Sequence, residues 1–146
     1  MKTDNNDIIL SATDLHRDFK TPETTLPVLK GISLELARGE MMAVTGASGV
    51  GKSTLLHLLG GLDRPTSGEI RINGAVLGNK SERELAWFRN VNVGFVFQFH
   101  YLLEDFSALE NVMIPLLVAG RKRSEARRKG EQLLEMVGLR SGLMVN

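Results

Sequence analysis

A glycine-rich stretch followed by lysine and serine has the clearest chemistry in this sequence. Gly46, Gly51, Lys52 and Ser53 fit the phosphate-loop pattern Gly-x-x-x-x-Gly-Lys-Ser/Thr. Such glycines let the backbone curl so that its N–H groups point at phosphate oxygens. We expect the lysine to reach the β- and γ-phosphates of a nucleoside triphosphate and the serine to ligate Mg²⁺. The residues expected to contact the nucleotide phosphates are Gly46, Ala47, Ser48, Gly49, Val50, Gly51, Lys52, Ser53 and Thr54.

A phosphate-binding loop needs a strand before it and a helix after it, and the sequence predicts both. Residues 41–44 (Met-Met-Ala-Val) are an apolar run suited to a strand that is covered on both faces. Residues 55–59 (Leu-Leu-His-Leu-Leu) predict a helix, which the glycine pair at 60–61 ends. A glycine-rich turn could match the loop pattern by accident. The strand and helix on its two sides favour phosphate binding instead.

The remaining elements alternate between strands and helices, which predicts an α/β domain. Strands are predicted at 8–15, 32–36, 69–73 and 93–97, with a proline-containing loop at 21–27. Asn73-Gly74 is a hairpin signal. Two helices are predicted to begin at capping boxes, one formed by Ser81 with Glu84 and the other by Ser107 with Glu110. A third helix is predicted over 124–137.

Composition limits the class of protein. The 146 residues are 42% apolar and 24% charged with a net charge of +1, as expected of one globular domain with no nucleic-acid partner. We expect no secretory signal and a cytoplasmic chain, and the absence of cysteine excludes disulfides and thiolate metal sites. Residues 121–129 carry six basic side chains and one acidic one. This run is interpreted as a solvated helix face, with contact to anionic lipid headgroups as the alternative.

Residues around the loop also resemble a known family. Residues 39–45 and 60–68 are similar to the segments that flank the loop in ABC-transporter ATPases. Gln98 lies 46 residues after Lys52, at the end of a predicted strand, where that family has its Q-loop glutamine. The resemblance implies that Gln98 contacts Mg²⁺ and the attacking water, and that it transmits the nucleotide state to the transporter. By residue type alone, Gln98 is an ordinary polar residue at a strand end.

The run GFVFQFHYLLEDFSALENVMIPLL, residues 94–117, resembles the ATPases of bacterial lipoprotein-releasing ABC transporters. Macrolide-exporter and cell-division relatives share much of this pattern and remain alternatives, and Glu104 stands where proline is expected. The resemblance covers residues 8–140. It implies an incomplete α/β P-loop NTPase of the ABC-ATPase type, with a nucleotide-binding core over 1–98. The Q-loop and the beginning of a helical subdomain would occupy 99–146.

One aromatic residue is expected to hold the base. In this family an aromatic side chain ahead of the second strand stacks on adenine, and Phe19, 27 residues before Gly46, has the matching position. The alternative is a core phenylalanine. Asp18 and Lys20 on either side favour an exposed ring and therefore the stacking role.

The resemblance implies an ATP-binding subunit that drives release of lipoproteins from the inner membrane. ATP and Mg²⁺ are the implied cofactors, with Lys52 and Gln98 as catalytic candidates and Ser53 and Gln98 as metal ligands. The implied partners are integral-membrane permease subunits and a second ATPase subunit. The implied location is peripheral, on the cytoplasmic side of the bacterial inner membrane.

Three family motifs are absent from the sequence: the Leu-Ser-Gly-Gly-Gln signature, a Walker B strand ending in Asp-Glu, and the switch histidine. Residues 141–146 also depart from the family pattern, which predicts truncation or a frameshift. Hydrolysis needs a base for the attacking water, so we expect no ATP turnover by this chain alone. A non-hydrolytic nucleotide-binding fragment is therefore an alternative. A small-molecule P-loop kinase is a weaker one, because the strand ending at Gln98 argues against it.

Overall fold

The computed structural model describes residues 8–139, which form two compact units that divide between Leu85 and Ala86. The first unit carries the sheet, and the second contains the last two helices. The strands are β1 (Ile8–Lys20), β2 (Thr25–Ala37), β3 (Ser67–Ile72) and β4 (Ala75–Val76). The helices are α1 (Lys52–Leu59), α2 (Glu82–Asn92), α3 (Ala108–Val118) and α4 (Arg123–Met136). The predicted core over 1–98 and helical part over 99–146 stay a prediction.

The sheet has the strand order β2-β1-β3-β4, and all neighbours are antiparallel. β1 and β2 form a long hairpin in which Lys20 pairs with Thr25, so the loop is shorter than the predicted 21–27. Pro27 lies inside β2, opposite Asp18. An edge strand tolerates proline because the missing N–H can face away from the sheet, which is why the strand begins earlier than predicted.

The turn between β3 and β4 confirms the hairpin signal in the sequence. Ile72 pairs with Ala75, so Asn73 and Gly74 are the two loop residues. Both have positive φ, +48° for Asn73 and +76° for Gly74. A type I′ turn requires positive φ at both central positions, and Asn-Gly is the pair that adopts it most readily.

The core of the first unit lies between the sheet and α1. Leu15 of β1 and Leu58 of α1 are fully buried, and Leu29, Leu55 and Ile70 are nearly so. Leu55 and Leu58 are three residues apart and therefore share one face of the helix. α1 contacts β1 and β2 with that face. The helix that follows the phosphate loop is thus anchored on the β1–β2 hairpin.

The second unit is built on packing between α3 and α4. Leu109, Met113, Ala126 and Leu134 form its buried core. Gly130 lets the helices approach closely, because a Cβ there would lie 2.9 Å from Leu109 Cδ1. α4 lies within one residue of its predicted bounds. None of the helices described between residues 8 and 139 is long and apolar enough to cross a membrane.

Both predicted capping boxes are present. Ser107 Oγ accepts a hydrogen bond from Glu110 N at 3.3 Å, and Glu110 Oε2 accepts one from Ser107 N at 3.0 Å. Ser81 and Glu84 make the same pair of bonds before α2, at 3.4 and 2.8 Å. The Ser107 hydroxyl also donates to Glu110 Oε2, and this bond lowers the pKa of Glu110 below its ordinary 4.5. The Ser81 hydroxyl lowers the pKa of Glu84 in the same way.

Two predicted strands are wrong. Residues 41–44 and 93–97 have no regular secondary structure, although their apolar runs are typical of strands covered on both faces. Met41 is 95% exposed and Val96 fully exposed. Such strands are stabilised by hydrogen bonds to neighbouring strands. Within residues 8–139 neither segment is paired in a sheet, so composition alone does not make them strands.

Candidate functional site

The phosphate loop has a backbone that requires glycine. Gly49 and Gly51 have φ of +80° and +94°, in the left-handed region that other residues rarely adopt. Gly51 also lies against β2, because a Cβ built on it would be 2.8 Å from Val28 Cγ1 and 3.1 Å from Leu29 Cδ2. The second glycine of the motif therefore meets two requirements, a positive φ and a close approach to the sheet.

Lys52 brings the two ends of the loop together. Its Nζ donates hydrogen bonds to Gly46 O at 2.9 Å and to Ala47 O at 2.6 Å. The ammonium therefore lies on the inside of the curved backbone. Of its three N–H groups, two are used by these carbonyls. A phosphate oxygen bound here can accept the third or replace a carbonyl oxygen.

The first turn of α1 is open to an anion. Its N-cap is Gly51, which has no side chain to accept hydrogen bonds from the first N–H groups. The first turn also contains no acidic residue. Uncapped N–H groups and the positive end of the helix dipole favour a bound phosphate. Ser53 is exposed and Thr54 half-buried in this turn. Together with Lys52, this donor set fits a polyphosphate.

Phe19 lies near the end of β1 and is 40% exposed. A phenylalanine in the core would be buried, so this exposure argues against the core alternative. One of its faces is covered by the Arg17 guanidinium, whose Cζ is 4.6 Å from the ring centroid. Arg17 Nη2 in turn lies 2.8 Å from Asp63 Oδ2. The adenine contact at Phe19 stays a prediction.

Gln98 is exposed and lies in a segment without helix or strand, within the second unit. The aromatic side chains of this segment contact one another. Phe95 and Phe97 are stacked with centroids 5.3 Å apart, and Tyr101 meets Phe97 edge-on at 5.1 Å. The metal and water contacts expected of Gln98 stay a prediction.

Arg17 and Asp63 are not among the predicted site residues. A signal for Arg17 was present, because residues two apart on a strand lie on one face of the sheet, and Arg17 precedes Phe19 by two. No local pattern pointed to Asp63. It lies just after α1, and only the folding of that segment onto β1 brings it to Arg17.

Comparisons with known proteins agree on one family. A profile described as "ABC transporter" matches residues 29–144. The "Lipoprotein-releasing system ATP-binding protein LolD" of Geobacter metallireducens is 54% identical over 131 residues, which are 90% of this chain and 58% of that protein. The protein of the same name from Legionella pneumophila strain Lens is 48% identical over 138 residues, 94% of this chain and 61% of its own length. The resemblance to lipoprotein-releasing ATPases is confirmed.

Two solved structures share the fold. One is titled "Dimeric structure of a post-hydrolysis state of the ATP-binding cassette MJ0796 bound to ADP and Pi", with 32% identity and a TM-score of 0.80 over 88% of this chain. The other, "Dimeric Structure of MJ0796, a Bacterial ABC Transporter Cassette", has 33% identity and a TM-score of 0.81. These matches confirm an α/β P-loop NTPase fold of the ABC-ATPase type. The chain spans 57% of both structures and about 60% of the two sequence relatives.

Proposed function

The chain belongs to the ABC transporter family, and on this premise we propose that it binds Mg-ATP as the ATP-binding subunit of a lipoprotein-releasing transporter. The observation that carries the proposal is the position of Lys52. Its ammonium lies inside a glycine-rich curve, 2.6–2.9 Å from the carbonyls of Gly46 and Ala47, at an uncapped helix N-terminus. A cation and several N–H donors that converge on one point form a polyphosphate site.

The phosphate contacts divide between backbone and side chains. Backbone N–H groups from Ala47 to Gly51 would donate to phosphate oxygens, and Lys52 would bind the β- and γ-phosphates. The N–H groups of Ser53 and Thr54 belong to the first turn of α1 and add the positive end of the helix. Because glycines shape the loop before ligand binds, little backbone entropy is lost when the phosphates enter.

The residues proposed to hold Mg²⁺ are Ser53 and Gln98. A hydroxyl and an amide oxygen are both oxygen ligands, which Mg²⁺ prefers, and the remaining ligands would come from phosphate and water. The bound ion would neutralise part of the phosphate charge. Ser53 is exposed in the first turn of α1, which leaves its hydroxyl accessible.

Phe19 is proposed to stack on the adenine. The residue is 40% exposed and one face of its ring is covered by Arg17, so the opposite face is the one offered to a base. Stacking tolerates any aromatic ring, and a phenylalanine can therefore serve as well as a tyrosine.

The proposed partners and location of the chain rest on its relatives. LolD proteins at 48–54% identity are named for a lipoprotein-releasing system, and both MJ0796 structures are described as dimeric. We propose that the chain pairs with a second ATPase subunit and with integral-membrane permease subunits. It would lie peripherally at the cytoplasmic face of the inner membrane. Nothing in its charge balance favours a nucleic-acid partner.

Titration calorimetry with Mg-ATP tests the binding site. Lys52→Ala should weaken ATP by about tenfold or more, because hydrogen bonds from a charged group to phosphate are worth about 1.5–3 kcal/mol. Lys30→Ala is the matched control, since it removes an exposed lysine of the same unit from β2. Equal ATP affinity in the wild type and Lys52→Ala would overturn the assignment of the loop.

Nucleotide binding without turnover is the second candidate function. Lys52 is a cation, and Ser53 and Gln98 are neutral groups that do not accept a proton from water at pH 7. A positioned general base contributes roughly 10²–10⁴-fold to a rate. We therefore expect no phosphate release above that of Lys52→Ala. Turnover near ~1 s⁻¹ that depends on Lys52 would contradict this candidate and identify an active hydrolase.

A further inference from the structure

We propose that Arg17 and Asp63 are positioning residues for the nucleobase: Asp63 holds the Arg17 guanidinium against one face of Phe19, which fixes the ring and reserves its other face for the base. This inference rests on the proposed ATP site and extends it to two residues beyond the phosphate loop. Three side chains are in contact in order: the Asp63 carboxylate pairs with the Arg17 guanidinium, which lies over the Phe19 ring. The two contacts are 2.8 Å from Arg17 Nη2 to Asp63 Oδ2 and 4.6 Å from Arg17 Cζ to the Phe19 centroid.

The ion pair is shielded from solvent. The Arg17 side chain is 23% exposed and that of Asp63 is 34% exposed. Partial burial strengthens the attraction between the charges, and the planar guanidinium suits both a carboxylate edge and an aromatic face. Asp63 is itself held in place, because its Oδ1 accepts a hydrogen bond from Arg64 N at 2.7 Å. Both carboxylate oxygens of Asp63 are thus in use.

Hydrogen bonds join the segment after α1 to β1 beside the ring. Thr66 N donates to His16 O at 2.8 Å, and Asp18 N donates to Thr66 Oγ1 at 2.9 Å. Together with the Arg17–Asp63 pair, three consecutive residues of β1 contact this segment. Because α1 begins at the phosphate loop, these contacts connect the strand that carries Phe19 to the far end of the loop's own helix.

A surface ion pair does not account for how Arg17 is placed. Its Nε is buried and has no hydrogen-bond partner within residues 8–139. Leaving a buried N–H without an acceptor is unfavourable, and such a group calls for a specific reason. If the guanidinium moved outward, Nε could donate a hydrogen bond to water, but the Phe19 ring would lose its contact. The geometry favours ring contact over hydration.

Holding the ring in advance improves the binding of a base. An exposed phenylalanine samples several rotamers and loses that freedom when adenine stacks on it. Fixing a side chain on binding costs conformational entropy, so its prior fixation should raise ATP affinity about three- to tenfold. Inorganic triphosphate has no base and should gain nothing. The ratio of the two affinities therefore isolates the effect.

The experiment measures Mg-ATP and Mg-triphosphate binding by calorimetry for the wild type, Arg17→Met and Asp63→Asn. Methionine keeps an unbranched apolar side chain without the charge, and asparagine keeps an acceptor for Arg64 N. Lys20→Met is the matched control, because it removes an exposed cation next to Phe19 on the same strand. We expect both test variants to lower the ATP-to-triphosphate affinity ratio about three- to tenfold. Lys20→Met should leave the ratio unchanged.

Asp63→Asn separates positioning from simple charge effects. Removing a negative charge should strengthen both polyphosphates equally if Arg17 and Asp63 act only through the electrostatic field. The inference instead requires ATP to weaken relative to triphosphate. Arg17→Lys should restore part of the ratio, because its ammonium can still lie over the ring.

An unchanged ratio in both Arg17→Met and Asp63→Asn would overturn the inference, while a Lys52-dependent ATP affinity would leave the proposed function standing. A higher ATP affinity in Arg17→Met would also overturn it, because Arg17 would then be blocking the ring. Failure of the wild type to bind either ligand would overturn the proposed function and this inference together.

Discussion

The phosphate loop and the segment that carries Gln98 are both irregular in backbone, yet they are held in different ways. Glycine geometry and two bonds from Lys52 to the loop's own carbonyls fix the phosphate loop. The segment over residues 93–106 is held mainly at its far end by Asn111. The Oδ1 of Asn111 accepts a hydrogen bond from Leu103 N at 2.9 Å. The two N–H groups of its Nδ2 are shared among the carbonyls of Leu103, Phe106 and Ser107, at 3.0–3.1 Å.

This difference shows that the phosphate loop is held by bonds within itself, whereas the Gln98 segment is held by a side chain of α3. The bonds of the phosphate loop join residues at most six apart in the chain, so its conformation is specified locally. Gln98 follows an apolar run that is suited to a strand and is not paired within the described chain. A buried strand depends on partners that are distant in sequence.

The largest effect is expected from Gly51→Ala. An alanine at φ +94° is strained, and its Cβ would lie 2.8 Å from Val28 Cγ1, so the loop must shift. We expect a loss of most ATP affinity and a destabilisation of about 1–3 kcal/mol, measured by calorimetry and urea unfolding. Gly39→Ala is the control, because Gly39 also has positive φ (+77°) but nothing lies within 4 Å of an added Cβ. Equal ATP affinity in Gly51→Ala and Gly39→Ala would mean that the loop is not fixed as described.

Local features were predicted well because few residues specify them. The capping box at Ser107 and Glu110 and the turn at Asn73-Gly74 need only their own side chains and φ angles, and both are present. The strand expected at 41–44 failed because an apolar run does not reveal whether partner strands are available. Asp63 was missed for the same reason, since its contact with Arg17 spans 46 residues of sequence.

A smaller effect is expected from Asn111→Ala. The variant removes the bonds that hold the end of the Gln98 segment, among them the acceptor for Leu103 N and the donor to Phe106 O. Loss of such bonds should destabilise the second unit by about 1–3 kcal/mol, while triphosphate affinity stays at the wild-type value. Thermal unfolding and calorimetry measure the two quantities. A matching fall in triphosphate affinity would show that the two regions are not held independently.

Gln98→Ala should have a smaller effect still. If Gln98 ligates Mg²⁺, its loss should weaken Mg-ATP affinity by at most about tenfold, because one such contact contributes about as much free energy as a hydrogen bond. ATP affinity in EDTA should not change. Phe99→Ala is the control, because it alters the neighbouring exposed side chain without removing an oxygen ligand. Equal losses with and without Mg²⁺ would contradict a metal role for Gln98.

The smallest effect concerns the pH dependence of α3, which follows the Gln98 segment. The Ser107 hydroxyl lowers the pKa of Glu110 below 4.5, so the ionised carboxylate stabilises the folded state. That stabilisation is complete above pH 4.5 and is lost as the pH falls through the lowered pKa of the folded state. Glu110→Gln keeps a capping acceptor but no charge, so its melting temperature should approach that of the wild type below pH 4.5. Glu104→Gln removes a carboxylate outside the capping box and is the control. A constant difference between the wild type and Glu110→Gln from pH 7 to pH 3 would mean that the capping bond does not depend on ionised Glu110.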